Sequence, residues 1–319
     1  MKLHALKAMM AALLTSLILG ACQSRDSVGP YTPLVWTTVA SGTNSSLGGV
    51  WGTSSSDVWA VGSETILHFN GATWSSVTGG ATWILFKVWG SSPSDVWAVG
   101  QSYTTGNPAF LHYDGMSWSA VPSPSIYQLA GIWGSSASDV WAVGVGGTII
   151  HYDGTNWSSV LSGTTQQLNS VWGTSASNVW AVGSQTILHY DGTRWSTVYD
   201  ASNVVSGVQG TSRSDVWAVG SSVLLHYDGT SWSSFQSGLE LPNFALGVWA
   251  SSPRNVLAVG YTGFKSACCP GKIAQFNGTT WSSVPIGTLP SLRAIWGSSA
   301  SDVWIVGDSG TVLHGSPAG

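Results

Sequence analysis

The chain has 319 residues, of which only 8% are charged, and its formal net charge is −4. This low, slightly acidic charge excludes the basic surface that binding to nucleic acid or to an anionic lipid surface requires. With 40 glycines and many Ser and Thr residues among so few charges, we expect a nearly neutral surface of hydroxyl and amide groups.

The first 21 residues predict an export signal. Lys2 and Lys7 form its basic start, and the apolar run from Ala8 to Leu19 is too short to span a bilayer. Residues 19–22, Leu-Gly-Ala-Cys, resemble the lipobox of bacterial lipoproteins. The resemblance implies cleavage after residue 21 and acylation of Cys22, with plain secretory cleavage as the alternative. Several acyl chains together would make such an anchor stable.

Residues 22–34 are polar, include two prolines and predict a short lipidated tether. Gln23 stands where an inner-membrane retention Asp could follow the lipidated Cys. By resemblance to the enterobacterial sorting pattern, we expect an outer-membrane location, on the periplasmic or cell-surface side, with the lipid as the only membrane contact. Loss of the two signal lysines leaves a mature net charge near −6.

Residues 35–319 are built from one repeated unit, which is clearest in residues 132–160 (IWGSSASDVWAVGVGGTIIHYDGTNWSSV). Short apolar runs bounded by Gly, Ser, Asp and Asn indicate β-strands, and the unit has no apolar pattern of helical length. We assign strand A to GIWG, strand B to DVWAVG, strand C to TIIHYDG and strand D to NWSSV. The segments SSASD and DGT then form the A–B and C–D hairpins.

Three series of positions, spaced by about 41 residues, mark the units, as is typical of four-stranded propeller blades. The first series is Trp51, Trp89, Trp133, Trp172, Gln209, Trp249 and Trp296. The second series is Trp59, Trp97, Trp141, Trp180, Trp217, Leu257 and Trp304. The third series has six members, Trp74, Trp118, Trp157, Trp195, Trp232 and Trp281.

The third series is one short because the chain ends without a closing WSSV segment. The segment WTTV, which begins with Trp36 and ends with Val39, supplies the missing strand. An N-terminal strand that completes the last sheet removes an open edge. The sequence therefore predicts an all-β, seven-bladed β-propeller with four antiparallel strands in each blade, closed by this segment.

Two sequence features resemble known propeller repeats. The segments DGTNW at residues 153–157 and DGTSW at residues 228–232 resemble a reduced Asp-box of bacterial neuraminidase-type repeats, and the WGSSxSDVWAVG half resembles repeats of bacterial exported lipoproteins. The resemblance covers residues 35–315 and implies the propeller fold. The upstream Ser of a full Asp-box is absent, so the resemblance does not extend to sialidase chemistry.

The residues that recur in every unit are interpreted as scaffold. We expect the repeat-position Trp rings to fill the space between neighbouring sheets while their N–H groups find partners. We expect the turn Asp residues, which exchange with Asn, to cap turns. The recurrent histidines lie too far from the axis to share a metal, and are expected to bond to Asp or Ser within their own blade. No metal site and no cofactor is predicted. These histidines are His68, His112, His151, His189, His226 and His314.

The B–C and D–A connections, which emerge on one face of a propeller, vary between units and provide the candidate binding residues. Exposed aromatic side chains there favour stacking on sugar or peptide surfaces, the alternative being that they pack their own loops. The candidates are Trp83, Tyr103, Tyr127, Tyr199, Asp200, Glu240, Asn243, Phe244, Tyr261, Phe264 and Lys265.

Cys268 and Cys269 are adjacent in the longest B–C insertion. Neighbouring α-carbons are about 3.8 Å apart, so a disulfide between them would be strained. Three interpretations stay open: a structural vicinal disulfide, free or intermolecular thiols, and a redox pair.

The leading functional hypothesis is a non-enzymatic, monomeric binding or adhesion lipoprotein that recognises carbohydrate. In this hypothesis the protein resembles, distantly, the tectonin-type and fucose-binding propeller lectins. The alternative is an envelope scaffold that binds another protein, as outer-membrane propeller lipoproteins and photosystem-assembly propellers do. A third hypothesis, a sialidase-like glycoside hydrolase, needs convergent arginines that the positions of Arg194, Arg213, Arg254 and Arg293 do not provide.

Overall fold

The computed structural model describes residues 33–79, 82–235, 242–263 and 269–318. The chain divides into two compact units, Met1–Pro33 and Leu34–Gly319, and only Pro33 of the first unit is among the described residues. The second unit is all-β, as predicted. Across the described ranges, no helix combines the length and the apolar character that a membrane span requires.

The strands follow the repeat along the chain, and two 3₁₀ turns, Val145–Gly147 and Asp308–Gly310, interrupt them. They are β1 (Leu34–Thr38), β2 (Leu47–Ser54), β3 (Asp57–Gly62), β4 (Thr65–Phe69), β5 (Trp74–Ser76), β6 (Trp83–Ser92), β7 (Asp95–Ser102), β8 (Pro108–Tyr113), β9 (Trp118–Ala120), β10 (Leu129–Ser136), β11 (Asp139–Gly144), β12 (Ile149–Tyr152), β13 (Trp157–Val160), β14 (Leu168–Ser175), β15 (Asn178–Tyr190), β16 (Trp195–Ser212), β17 (Asp215–Gly220), β18 (Val223–Tyr227), β19 (Trp232–Ser234), β20 (Phe244–Ser252), β21 (Asn255–Tyr261), β22 (Gly271–Phe276), β23 (Trp281–Val284), β24 (Leu292–Ser299), β25 (Asp302–Gly307) and β26 (Val312–Pro317).

The third unit shows how one repeat folds. Its four strands, β10 to β13, form an antiparallel sheet in chain order. Trp133 pairs with Trp141, and Trp141 in turn pairs with His151. On the outer strand, Tyr152 pairs with Trp157. The assignment of strands A to D and of the two hairpins is therefore confirmed.

The prediction of seven blades with four strands each is wrong, because the described strands form six sheets and hence six blades. Five sheets have four strands, and one sheet, β14 to β19, has six. In that sheet the 18-residue strand β16 pairs with β15 up to Val204 and with β17 from Val205 onward. Residues 197–204, TVYDASNV, lack the Gly or Pro found in the other D–A connections, so nothing breaks the extended chain there.

The N-terminal strand closes the ring, as predicted. β1 pairs antiparallel with β26, and Trp36 lies opposite Gly315. Leu34 and Trp36 pack against a buried cluster that contains Trp249 and Ile305. A Cβ at Gly315 would lie 2.8 Å from the Trp36 ring, so the small residue makes room for the indole. β1 thus covers the outer edge of the last sheet.

Neighbouring sheets pack through tryptophans of the second and third series, which confirms that these rings are core. Trp141 meets Trp195 of the next sheet edge to face, with ring centroids 5.4 Å apart. The expectation that each N–H finds a partner is wrong for ten tryptophans in the described part of the chain. They are Trp59, Trp74, Trp118, Trp157, Trp180, Trp195, Trp217, Trp232, Trp281 and Trp304.

Candidate functional site

Each recurrent histidine belongs to a local cluster, which we call the Trp–His–Asp clasp. In the third unit, Nε2 of His151 lies 2.7 Å from Oδ1 of Asp139, and the imidazole lies on Trp141 with ring centroids 4.1 Å apart. Nε1 of Trp141 also donates to Asp139, at 3.2 Å, and so does the hydroxyl of Ser135. Every group bonds within its own sheet, as expected for a scaffold.

The bond between strands B and C recurs around the ring, whereas among the described residues the Trp N–H donates to the carboxylate only in the second and third units. Asn replaces Asp in two clasps, and the sixth unit also replaces Trp by Leu257 and His by Gln275, without loss of the strand B to strand C bond. Because the cluster survives without ionisable groups, it holds two strands together and has no need of acid–base chemistry. The other polar pairs are His68–Asp57, His112–Asp95, His189–Asn178, His226–Asp215 and His314–Asp302.

Two clasp carboxylates, Asp95 and Asp139, are held in their ionised form. Burial alone would raise the pKa of Asp95, but hydrogen bonds from His112, Ser91 and Trp97 outweigh it and keep that pKa below its usual value. The same balance lowers the pKa of Asp139. These carboxylates therefore stabilise the fold above the ordinary Asp pKa of about 3.9, and their contribution is lost as the pH falls through the lowered pKa.

The recurrent Asp of the C–D hairpins caps a turn, as predicted. Oδ1 of Asp153 accepts the backbone N–H groups of Thr155 and Asn156, both at 2.8 Å. The hydroxyl and the N–H of Thr230, with the N–H of Ser231, bond Asp228 in the same way and lower its pKa to about 2. Within the described ranges, no group of three or more His, Cys, Asp or Glu side chains could hold a metal.

The inner strands surround a central cavity of about 310 Å³. Seven strand segments line it, because the six-stranded sheet contributes both β14 and the second half of β16. The side chains on its walls are mainly those of the first series and the Val or Ile that precedes each of them, while polar atoms make up more than half of the exposed wall surface. The first-series tryptophans thus have two roles: they line the channel, and they also pack against the buried clusters between sheets, as Trp89 and Trp249 do.

The first-series rings form a closed belt around this channel. Each Trp lies over a small residue of the next inner strand, so that a Cβ on Gly134 would lie 2.5 Å from Cη2 of Trp89. At one position Gln209 replaces Trp, and there Ala250 replaces Gly, with its N–H donating to Oε1 of Gln209 at 2.7 Å. The Trp–Gly pairs are Trp51–Gly90, Trp89–Gly134, Trp133–Gly173, Trp172–Gly210, Trp249–Gly297 and Trp296–Gly52.

The predicted loop residues that the structure describes lie in different local surroundings. Trp83 and Tyr199 are partly buried and pack against core clusters, while Phe244 and Tyr261 stack on each other with ring centroids 5.0 Å apart. These four follow the alternative in which loop aromatics pack their own surroundings. Asp200 and Asn243 are exposed.

Among the described residues, Tyr103 and Tyr127 are the predicted aromatic residues that are open to solvent, with 60% and 52% of their surface exposed. Sequence reasoning missed the aliphatic side chains beside them, because Ile126 and Leu161 carry no chemical motif. Their only signal was their place in variable connections. Glu240, Phe264, Lys265, the predicted lipidation site Cys22 and, with Cys268, the predicted vicinal disulfide lie outside the described residues.

The clasp that contains His189 and Asn178 allows the effect of the clasp on the pKa of its histidine to be tested. His189 lies 2.6 Å from Asn178, and burial lowers the pKa of this histidine. We expect Asn178→Asp to raise the pKa of His189 by roughly one unit, because a carboxylate favours the imidazolium. The stability that the variant gains over the wild type through this pair is complete below the lowered pKa of wild-type His189, and it is lost as the pH rises through the higher pKa of the variant.

An NMR titration of the His189 ring measures this shift. The matched control is Asn255→Asp, whose partner Gln275 does not titrate. An unchanged His189 pKa in Asn178→Asp would show that the pair is not electrostatically coupled.

The strand order and the channel define the described unit as a β-propeller, and solved structures share this fold. YCF48 from Cyanidioschyzon merolae matches with a TM-score of 0.67 at 16% identity, over 88% of this chain and 98% of that one. A structure of YCF48 bound to D1 peptide matches with a TM-score of 0.70 at 17% identity, over 90% and 100%. The WD40 β-propeller domain of Doa1 matches with a TM-score of 0.72 at 12% identity, over 90% and 97%.

At these identities the likeness shows the fold alone. No family model matches the chain, and no curated protein sequence is similar to it.

Proposed function

We propose that this protein is a non-enzymatic scaffold that binds another protein on the face carrying the B–C and D–A connections, here called the loop face. The observation that supports it is a series of exposed apolar side chains on successive connections of this face. Between 40% and 93% of the surface of each is exposed. They are Tyr103 between β7 and β8, Ile126 and Tyr127 between β9 and β10, Leu161 between β13 and β14, and Val204 within β16.

The chemistry of this series favours protein over sugar. Ile126, Leu161 and Val204 are aliphatic, so they gain most by covering apolar side chains of a partner. Stacking on a sugar ring needs flat aromatic faces, which only Tyr103 and Tyr127 offer in the series. The solved complex of YCF48 with a D1 peptide adds that a propeller of similar fold accepts a peptide. Carbohydrate recognition and glycoside hydrolysis are accordingly the less favoured alternatives.

Selection from a random peptide library tests the proposal. We expect enriched peptides to lose about tenfold or more in affinity for a variant with Tyr103→Ser, Ile126→Ser, Tyr127→Ser and Leu161→Ser, since exposed anchors dominate such contacts. The matched control is Met116→Ser, because Met116 is 87% exposed in the C–D hairpin of the opposite face. A glycan array is run in parallel on the same variants.

Equal peptide affinity in the loop-face variant would contradict the proposed surface. Glycan binding without any enriched peptide would restore carbohydrate recognition.

We further propose, from the sequence alone, that residues 1–21 are removed and that Cys22 anchors the protein to the outer membrane. In that arrangement a lipidated tether would hold the propeller near the membrane.

A further inference from the structure

Lys87 breaks the pattern of the channel wall. It lies on β6, two residues before the first-series Trp89. The other six units have a small residue at this position, and a Cβ on Gly49 would lie 2.9 Å from the Cα of Lys87, which shows how closely the inner strands approach. The lysine is therefore the one long side chain at its level of the wall. The small residues are Gly49, Gly131, Ser170, Gly207, Gly247 and Ala294.

Lys87 lines a cavity whose other side chains offer its ammonium group no counter-charge. The other residues lining the cavity are apolar or glycine, except for Ser170 and Gln209, and none of them is ionisable. In the described ranges, no carboxylate forms an ion pair with Lys87. Burial by the channel walls lowers the pKa of Lys87 to about 8, so the group is still mostly protonated near pH 7.

A desolvated ammonium without a counter-charge is costly unless an anion compensates it. The size of the cavity, about 310 Å³, is at the lower end of the range for small-molecule sites and corresponds to about ten water molecules. Its walls carry Val or Ile from every inner segment and the Trp belt. A bare inorganic anion would leave these walls uncovered, whereas a carboxylate with a short apolar body would cover them.

We propose that the central channel binds a small carboxylate with an apolar body, with the carboxylate on Lys87 and the body against the Val, Ile and Trp side chains. Ser170 and Gln209 supply further polar groups on the wall. The carboxylate belongs either to a free small molecule or to the C-terminus of a peptide. The site is separate from the loop-face residues, and it stands or falls independently of the proposed protein partner.

Calorimetric titration with hexanoate tests this site. Hexanamide is the control that has the same chain without the charge, and inorganic phosphate is the control that has a negative charge without an apolar chain. We expect hexanoate to bind, Lys87→Met to weaken it at least about tenfold, and Lys272→Met on β22 to leave it unchanged. Tryptophan fluorescence reports the same event, since six tryptophans line the cavity. Without any variant, the affinity for hexanoate should fall as the pH rises above about 8.

The source of the carboxylate is resolved by the peptide acetyl-Gly-Val-Leu, with its C-terminus free or amidated. Tighter binding of the free-acid peptide than of hexanoate assigns the site to a peptide end, and the reverse assigns it to a free small molecule. Equal affinity of wild type and Lys87→Met, equal binding of hexanamide, stronger binding of phosphate, or no binding of either carboxylate would overturn the proposal.

Discussion

A chain that starts at Val39, and so lacks β1, is expected to lose about 5 kcal/mol of unfolding free energy and about 10 °C in Tm. It gives up the partial burial of Leu34 and Trp36, each worth less than the roughly 1.5 to 3 kcal/mol of a fully buried side chain, and the edge hydrogen bonds between β1 and β26. The edge of β26 is then exposed and can pair with another molecule. Thermal unfolding and light scattering measure both effects.

Two single substitutions separate packing from pairing in this strand. Trp36→Ser removes the packed indole and should cost about 2 kcal/mol. Val35→Ser is the control, because Val35 is 47% exposed in the same strand and should change little. A Tm for the shortened chain equal to that of the full chain would mean that β1 does not close the ring in solution.

The second large effect is expected in the Trp belt. Gly134→Ala would place a Cβ 2.5 Å from Cη2 of Trp89 and 2.7 Å from the carbonyl oxygen of Asp139. Neither the indole, which is packed in the ring, nor the strand backbone can move freely, so we expect a loss of about 3 kcal/mol. Gly146→Ala is the steric control, because no atom lies within 4 Å of the position that its Cβ would take, although its φ of 68° adds a strain of its own.

The Gln209–Ala250 pair suggests how this clash is relieved. We expect Gly134→Ala to cost less in the background of Trp89→Gln than in the wild type, because Gln can accept the backbone N–H as Gln209 does from Ala250. Denaturant unfolding of the two single variants and the double variant gives the coupling energy. A coupling energy of zero would show that Gln in place of Trp at position 209 and Ala in place of Gly at position 250 are energetically independent.

The repeat allowed most of the fold to be predicted. The regular spacing of Trp and Gly residues located strands A to D, and the missing seventh Trp of the third series indicated that the strand at Trp36 closes the ring. The predicted number of blades was wrong because it depends on whether the chain breaks between strand D of one unit and strand A of the next. Residues 197–204 contain neither Gly nor Pro, and there the two strands form the single strand β16. Periodicity counts repeats, whereas hydrogen bonding decides where one sheet ends.

The candidate site was less predictable for a related reason. Whether an aromatic loop residue is exposed depends on its neighbours: Phe244 and Tyr261 cover each other, whereas Tyr103 has no such partner ring among the described contacts. Lys87 escaped notice because a single lysine within a strand has no motif. Its signal was the comparison with the small residues at the same place in the other six units.

The continuous strand β16 also decides where the chain could be cut and rejoined. Leu34 pairs with Pro317, so the two ends of the propeller lie side by side and a short linker could join them. New termini at exposed Gly163, with nothing within 4 Å of its Cβ position, would interrupt only a connection. New termini within Trp195–Ser212 would split a strand that two repeats share. Circular permutation should therefore be tolerated at the first place and fail at the second.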